Sequence, residues 1–249
     1  MRPEDSTPRK LKTVPYHAHI LLLIGLLFSS PVIPADKDPH YNEAGFFDIH
    51  VCNWPGRPLF FMPLFSTPRF AETEKIEVFY PDGSPLSELD LNNYRKITPK
   101  NQPPKRAFMV ETDVPSSAPD GWYTARITLK DGSRFQARDY VIIDSLPQAA
   151  GHVPPPDAEV DEIPGELAWD AIPGAAYYQV FIRDLWNDDK LVHSSKLLSE
   201  PRLVLPKDLL EQGGYYSWVI HARDTNEHVL LGDFNHGSLS QPVNFSISD

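Results

Sequence analysis

Acidic and histidine side chains gather between residues 221 and 236, which makes this segment the first place to look for chemistry. The members are His221, Asp224, Glu227, His228, Asp233 and His236. Imidazole nitrogens and carboxylate oxygens ligate zinc, and a hairpin could bring three of them to about 2.0–2.2 Å from one ion. Their spacing matches no defined metal motif, and a solvated loop has the same composition. We therefore predict no metal and no cofactor. For the alternative of a metal site in this segment, the candidate ligands are His221, Asp224, His228 and His236.

The one cysteine, Cys52, is the candidate nucleophile. His50 precedes it by two residues and shares its face in a strand, but ideal strand geometry separates the side chains by about 7 Å. Ser194 and Ser195 have no base at a recognisable spacing and no nucleophile-elbow glycines. We expect a shielded cysteine, no catalytic residue and a protein that is not an enzyme.

Three aspartates surround Trp186 in the segment 184–189. Their carboxylates could hold calcium, or a sugar could bind beside the indole. A turn explains the same residues, because Asp and Asn tolerate left-handed backbone and bond their own main chain. The turn is the favoured interpretation.

A set of apolar side chains is predicted to point to solvent from two neighbouring strands. If residues 178, 180 and 182 point inward, Phe181 points outward, and the same alternation around residue 216 turns Tyr215 and Val219 outward. With Trp186 they form what we call the outer strip. Such strips mark contact surfaces more often than isolated apolar residues do. Either a partner or the neighbouring domain could cover it.

Strands must position these residues, because alternation with a period of two recurs while helical periodicity is nearly absent. Short runs separated by Pro, Gly, Asn and Asp are typical of a β-sandwich or barrel. Asp131-Gly132 lies between two alternating runs and predicts a hairpin with a type I′ turn, in which both residues have positive φ.

A weak internal repeat indicates two similar domains. Residues 123–131 align with residues 216–224 at an offset of 93, about one sandwich domain. Both runs follow a glycine, begin with a tyrosine and place apolar residues two, four and six positions later.

The second half of the chain, residues 152–249, resembles a fibronectin type III domain. Leu167-Ala-Trp169 is similar to the second strand with its core tryptophan, and residues 210–222 reproduce the spacing of the tyrosine corner and sixth strand. The resemblance implies that the Tyr216 hydroxyl bonds to backbone a few residues upstream. It implies a fold and no particular activity.

We predict an all-β chain with an export signal and two tandem immunoglobulin-like β-sandwich domains, the second fibronectin type III-like. The boundaries are 1–35 for the signal peptide, 36–144 for the first sandwich, 145–156 for a Pro-rich linker and 157–249 for the second sandwich. The first sandwich is only generically immunoglobulin-like.

The leader has basic residues, then an apolar run from 20 to 28, then small residues with a cleavage position after Ala35. Nine apolar residues fall short of the roughly 20 that cross a bilayer, so cleavage is favoured over a retained anchor. With one cysteine, the chain can form no internal disulfide, which fits a bacterial periplasm or cell surface, or secretion from bacteria.

The net charge of −11 and the lack of a basic stripe exclude nucleic acid as a partner. The predicted function is that of an exported, non-catalytic binding or scaffolding protein with a protein or glycan ligand in the cell envelope or outside the cell. A periplasmic chaperone similar to the two-domain pilus chaperones is one alternative, although those use a basic cleft. A metal-dependent hydrolase built on the 221–236 loop is the other.

Overall fold

The computed structural model describes residues 38–98, 100, 103–224 and 234–249, and these residues form seventeen strands and no helix. The predicted all-β class of two tandem immunoglobulin-like sandwiches is confirmed. No helix in the described ranges could span a membrane. The predicted signal peptide lies outside the described residues.

Nine strands build the first sandwich. They are β1 (Phe46–Asn53), β2 (Phe60–Thr67), β3 (Thr73–Phe79), β4 (Pro85–Glu88), β5 (Tyr94–Ile97), β6 (Lys105–Met109), β7 (Thr112–Asp113), β8 (Gly121–Leu129) and β9 (Arg134–Val141). One sheet has the order β1-β2-β6-β5, with β7 also beside β2, and the other has the order β4-β3-β8-β9. Their facing sides enclose a core that includes Phe47, Phe61, Phe65, Tyr123 and Ile127.

Eight strands build the second sandwich. They are β10 (Ala158–Val160), β11 (Glu166–Ala168), β12 (Tyr177–Asp184), β13 (Lys190–Ser194), β14 (Arg202–Val204), β15 (Tyr215–Arg223), β16 (His236–Leu239) and β17 (Val243–Ile247). β11 pairs with β14, and facing them β13, β12 and β15 lie side by side, with β16 and β17 along the other edge of β15. As the alternation predicted, Tyr178, Val180 and Ile182 are buried in this core.

The two runs of the internal repeat are β8 and β15, and each carries a tyrosine corner. The Tyr123 hydroxyl donates a hydrogen bond to the Pro119 carbonyl at 2.9 Å. The Tyr216 hydroxyl accepts one from the Glu211 backbone N–H at 2.9 Å. The predicted bond to upstream backbone is therefore present, with opposite donor and acceptor roles in the two sandwiches.

The hairpin at Asp131-Gly132 is present between β8 and β9, but the type I′ turn is wrong. Gly132 has a φ of 84°, whereas Asp131 is not among the residues with positive φ. Leu129 donates its N–H to the Ser133 carbonyl, so the loop has three residues with glycine in the left-handed position. The Asp131 carboxylate stabilises this loop by accepting the Ser133 N–H at 2.9 Å.

The two sandwiches are joined by a parallel pair of strands, β1 and β16. The paired residues are Val51 with His236, Cys52 with Gly237 and Asn53 with Ser238. One sheet of each sandwich therefore continues into the other as a sheet of 11 strands in the described part of the chain.

The segment 145–156, predicted to be a linker, runs along the second sandwich. Leu146 is buried in the second core, and Val153 exchanges two backbone hydrogen bonds with Ala168. The Leu146 carbonyl accepts a hydrogen bond from the Asn53 amide at 2.9 Å. This segment is therefore hydrogen-bonded to both sandwiches.

Candidate functional site

The four residues of the outer strip lie on one face of the second sandwich. Phe181 is directly opposite Val219 across β12 and β15. The Trp186 and Tyr215 rings lie 5.5 Å apart. Trp186 is 70 % exposed, and the other three side chains are partly buried. The strip thus has two apolar parts, Trp186 with Tyr215 and Phe181 with Val219, and the Arg183–Ser217 pair lies between them.

A tight turn after β12 holds Trp186 in place. The Asp184 carboxylate accepts the backbone N–H groups of Trp186 and Asn187 at 3.0 and 3.3 Å. Asp188 and Asp189 adopt φ values of 53° and 56°. The aspartates around Trp186 therefore build the turn that the sequence favoured, and the Asp184 oxygens are used within it.

Leu191 extends the strip, and the sequence did not reveal it. It lies on β13 opposite Arg183 and is 46 % exposed. A register shift between Ile182 and Arg183 brings Leu191 rather than its neighbour to the outer face. A bulge leaves no dependable sequence signal. Simple alternation along β13 therefore assigns the Leu191 side chain to the wrong face of the sheet. In the described part of the sheet β13 pairs only with β12 and forms an edge.

The far end of the same face is covered. Phe234 stacks on the His50 ring at 3.8 Å and meets the His221 ring edge-on at 5.2 Å. It is 3 % exposed and forms a small core with Cys52 and Phe60. His221 lies on the same face of β15 as Val219, but this packing shields it, while Trp186 at the other end remains exposed.

The candidate ligands Asp224 and His236 bind each other. Nδ1 of His236 lies 2.7 Å from the Asp224 carboxylate, and Nε2 lies 2.9 Å from the Ile142 carbonyl. Both partners can only accept, so both contacts are hydrogen bonds when the ring is protonated, and this environment favours the imidazolium. The hydrogen bond to Asp224 raises the pKa of His236 above its ordinary value. In the described part of the chain, no third ligand atom joins this pair.

His221 has a different environment, and His228 lies outside the described residues. Nδ1 of His221 accepts a hydrogen bond from the Arg223 guanidinium at 3.3 Å. Burial and the charge of Arg223 lower the pKa of His221 to about 3, so the ring is neutral. His221 and His236 are thus engaged in separate structural contacts.

Cys52 is shielded, as the sequence predicted. It is fully buried, and burial raises the pKa of its thiol to about 12. His50 shares its strand face, but Nε2 of His50 lies 3.2 Å from the Asp48 carboxylate. A thiol in this state is a poor nucleophile at neutral pH.

A further group of polar side chains, His40, Asp48 and Asp139, comes together in the first sandwich. One ligand atom from each lies within 4.8 Å of the others. Nε2 of His40 is 3.0 Å from Asp139, and Nδ1 is 2.8 Å from Asp38. Asp48 and Asp139 are 1 % and 2 % exposed.

Electrostatics at this group are strongly perturbed. Burial, and then the neighbouring Asp139 carboxylate, raise the pKa of Asp48 well above its usual range. For His40, burial alone would lower the pKa, but hydrogen bonds to Asp139 and Asp38 outweigh it and raise the pKa to about 9. No sequence pattern indicates the group, because Asp139 is 91 positions from Asp48 and only the packing of β9 against β1 brings them together.

No protein-family model matches the sequence, and no curated protein matches it. Solved structures with some similarity include dimeric latent PorU from Porphyromonas gingivalis, with 11 % identity, 87 % of this chain covered, 21 % of that chain covered and a TM-score of 0.30. Salmonella alpha-2-macroglobulin reacted with methylamine is 15 % identical, with 85 % of this chain and 15 % of that chain covered and a TM-score of 0.25. Dpr2 Ig1-Ig2, in complex with DIP-Theta Ig1-Ig3, is 12 % identical, with 83 % of this chain and 100 % of that chain covered and a TM-score of 0.28.

This chain spans about a fifth of the PorU chain and a smaller share of the alpha-2-macroglobulin chain. With TM-scores of this size, the three structures assign neither a family nor a function to it.

Proposed function

We propose that the protein is an exported, non-catalytic binding or scaffolding protein that holds a protein partner on the outer strip of its second sandwich. The observation that carries the proposal is the Trp186 ring, 70 % exposed and supported by Tyr215 at 5.5 Å. A rigid aromatic ring beside further apolar surface is the usual composition of an interface anchor.

We also propose that the second sandwich is fibronectin type III-like. Its β11–β14 pair faces a sheet in which β13, β12 and β15 are neighbours, and β16 and β17 close the edge. Tyr216 supplies the corner bond at the start of β15. These features support the resemblance found in residues 152–249, and such modules present binding surfaces on their sheets and loops.

A protein partner is favoured over a glycan by the surroundings of the ring. Leu191 adds aliphatic surface on the edge strand β13, and Phe181 and Val219 add a second apolar pair on the same face. An edge strand also offers unpaired backbone groups that a partner strand can use. A glycan would use mainly the two rings, so a Leu191 substitution distinguishes the two ligands.

The absence of catalysis is part of the proposal, and the environments of Cys52, His236 and His221 support it. The Cys52 thiol is protonated and buried, and the His236 imidazolium is held by Asp224 and Ile142. The His221 ring has Nδ1 occupied by Arg223. Among the described residues that the sequence offered for chemistry, Cys52 is shielded, and His221, Asp224 and His236 are held in structural contacts.

Export is proposed from the leader of residues 1–35. Expression in a bacterium followed by fractionation and intact-mass measurement tests it. The expected product is an exported form that begins close to residue 36. Recovery of the leader on protein that stays in the cytoplasm would remove the export proposal without affecting the binding surface.

The binding proposal is tested by capture of envelope proteins on immobilised wild type and variants. Trp186→Ala should leave thermal stability almost unchanged and weaken capture of the partner at least fivefold, the effect of about 1 kcal/mol at an interface anchor. Phe181→Ser should act in the same direction.

Trp122→Ala is the matched control. Trp122 is 42 % exposed in the first sandwich and packs edge-on to Tyr140 at 5.3 Å, so its loss removes an exposed tryptophan elsewhere. The proposal would be contradicted if every captured protein bound equally to wild type, Trp186→Ala and Trp122→Ala. A partner lost with Trp186→Ala but retained with Leu191→Ser would point to a glycan-like ligand that needs the rings alone.

A further inference from the structure

We propose that His40, Asp48 and Asp139 form a binding site for a divalent transition metal ion, with Zn²⁺ as the best match. The site is separate from the outer strip and does not depend on the proposed function. It lies in the first sandwich, where β1 of one sheet comes against β9 of the other. His40 precedes β1, Asp48 lies within β1 and Asp139 lies within β9.

The first support is the spacing of the donor atoms. Nε2 of His40 lies 3.0 Å from the nearest Asp139 oxygen. Ligand atoms about 2.0–2.1 Å from a tetrahedral zinc are about 3.3 Å from each other. The third donor, from Asp48, lies within 4.8 Å of both. Small rotations of the side chains would therefore place all three on one ion.

The second support is that each ligand has an orienting partner. Asp38 accepts from Nδ1 of His40 at 2.8 Å, which leaves Nε2 directed at the carboxylates. The Ile49 backbone N–H donates to the other Asp139 oxygen at 2.8 Å. His50 bonds Asp48 at 3.2 Å. A carboxylate that accepts the other ring N–H of a ligating histidine is a usual outer partner in protein metal sites.

The third support is the depth of the two carboxylates. Asp48 and Asp139 are 1 % and 2 % exposed, so almost no water reaches either one. Burying two like charges together is costly unless a proton or a cation compensates. A dication that displaces the protons of His40 and Asp48 would be surrounded by two carboxylates and a neutral imidazole, and the four together would carry no net charge.

The donor set selects the class of metal. One imidazole nitrogen with two carboxylate oxygens suits Zn²⁺, and also Mn²⁺ or Fe²⁺, with water completing the coordination. Ca²⁺ requires six to eight oxygens and does not use imidazole. We therefore expect discrimination against Ca²⁺ and Mg²⁺ at the same concentration.

Such an ion would join the two sheets of the first sandwich. The backbone already links these segments, since Arg138 donates its N–H to the Pro39 carbonyl at 2.8 Å. An ion held by residues from both strands binds the folded state and not the unfolded chain, so it stabilises the fold by mass action.

The experiment uses residues 36–249, the chain without its leader. The protein is treated with chelator and then titrated with ZnCl₂ in a calorimeter. We expect one tight ion per chain, a rise in the midpoint of thermal unfolding, and no matching response to CaCl₂ or MgCl₂. Co²⁺ should give a visible absorption spectrum typical of nitrogen and oxygen ligands. Absence of stoichiometric zinc binding by the folded wild type would overturn the proposal.

Variants locate the ion. His40→Gln and Asp139→Asn should each abolish the tight site, and Asp38→Asn should weaken it about 10- to 100-fold, as expected for a residue that orients a ligand. Because Asp139→Asn could disturb folding, His40→Gln with its Co²⁺ spectrum decides the assignment.

Asp224→Asn is the matched control, since it removes a carboxylate bonded to a histidine in the second sandwich. It should leave zinc affinity and the Co²⁺ spectrum unchanged. Tight binding that survives His40→Gln, or that disappears with Asp224→Asn alone, would mean that the ion binds elsewhere.

Discussion

Gly237 lies opposite Cys52 where β1 and β16 join the two sandwiches, and there is no room for a side chain at position 237. A Cβ atom there would come 2.5 Å from the Phe234 ring and 3.0 Å from Nε2 of His221. Phe234 in turn packs on His50 at 3.8 Å. The junction between the sandwiches therefore depends on a glycine at this position.

Gly237→Ala should lower the free energy of unfolding by about 1–3 kcal/mol, because an added methyl group must displace a buried ring. Gly165→Ala is the control, since a Cβ at position 165 meets nothing within 4 Å. Urea denaturation of both variants measures the difference. Equal stability of the two would mean that Phe234 adjusts freely and that the junction is loosely packed.

The two tyrosine corners should respond differently to loss of their hydroxyls. Tyr216→Phe strands the Glu211 N–H, whereas Tyr123→Phe strands only the Pro119 carbonyl. We expect the first to cost about 1–2 kcal/mol and the second about 1 kcal/mol or less, because an unpaired backbone N–H is rarer in folded proteins than an under-used carbonyl. Denaturant unfolding of the two variants tests this. No loss in Tyr216→Phe would remove the corner bond as a source of stability.

Cys52 provides a chemical probe of the junction. Its thiol is fully buried with a pKa raised to about 12, so native protein at pH 8 should react with a disulfide reagent at least 100-fold more slowly than protein in urea. Gly237→Ala should speed the reaction if it opens the junction. Native labelling as fast as labelling in urea would show that Cys52 is accessible.

Local pattern was enough to predict the direction of side chains within strands. Residues 178–182 alternate between core and surface, and the tyrosine spacing located both β8 and β15. In each case a neighbour two positions away determines the face, so the information lies within a few residues of sequence.

Long-range pairing could not be predicted in this way. The parallel pairing of Cys52 with Gly237 joins residues 185 positions apart, and nothing in either segment specifies the other. The same limit applies to His40 and Asp139. Leu191 was missed for a local reason, because the bulge beside Arg183 reverses the face that simple alternation assigns.

The Asp224–His236 pair should make the junction sensitive to pH. Hydrogen bonds to Asp224 and Ile142, together with the charge of Asp144, raise the pKa of His236, with the Asp224 bond as the largest cause. A raised pKa means that the folded chain holds this proton more tightly than the unfolded chain. The resulting stability is fully present below the unfolded value of about 6.5 and is lost as pH rises through the folded pKa.

His236→Gln removes this contribution and should cost about 1.5–3 kcal/mol at pH 6, the range for hydrogen bonds to a charged group, and less as pH rises above the folded pKa. The contribution of His40, whose pKa is raised to about 9, is also lost as pH rises. His221, whose pKa is lowered to about 3, changes the free energy of unfolding with pH only below about pH 6.5. The difference between wild type and His236→Gln therefore isolates the one residue. Titration of the His236 ring by NMR should give a midpoint above 6.5 that falls in Asp224→Asn. A midpoint at or below 6.5 in the wild type would show that His236 is not held as an imidazolium at the junction.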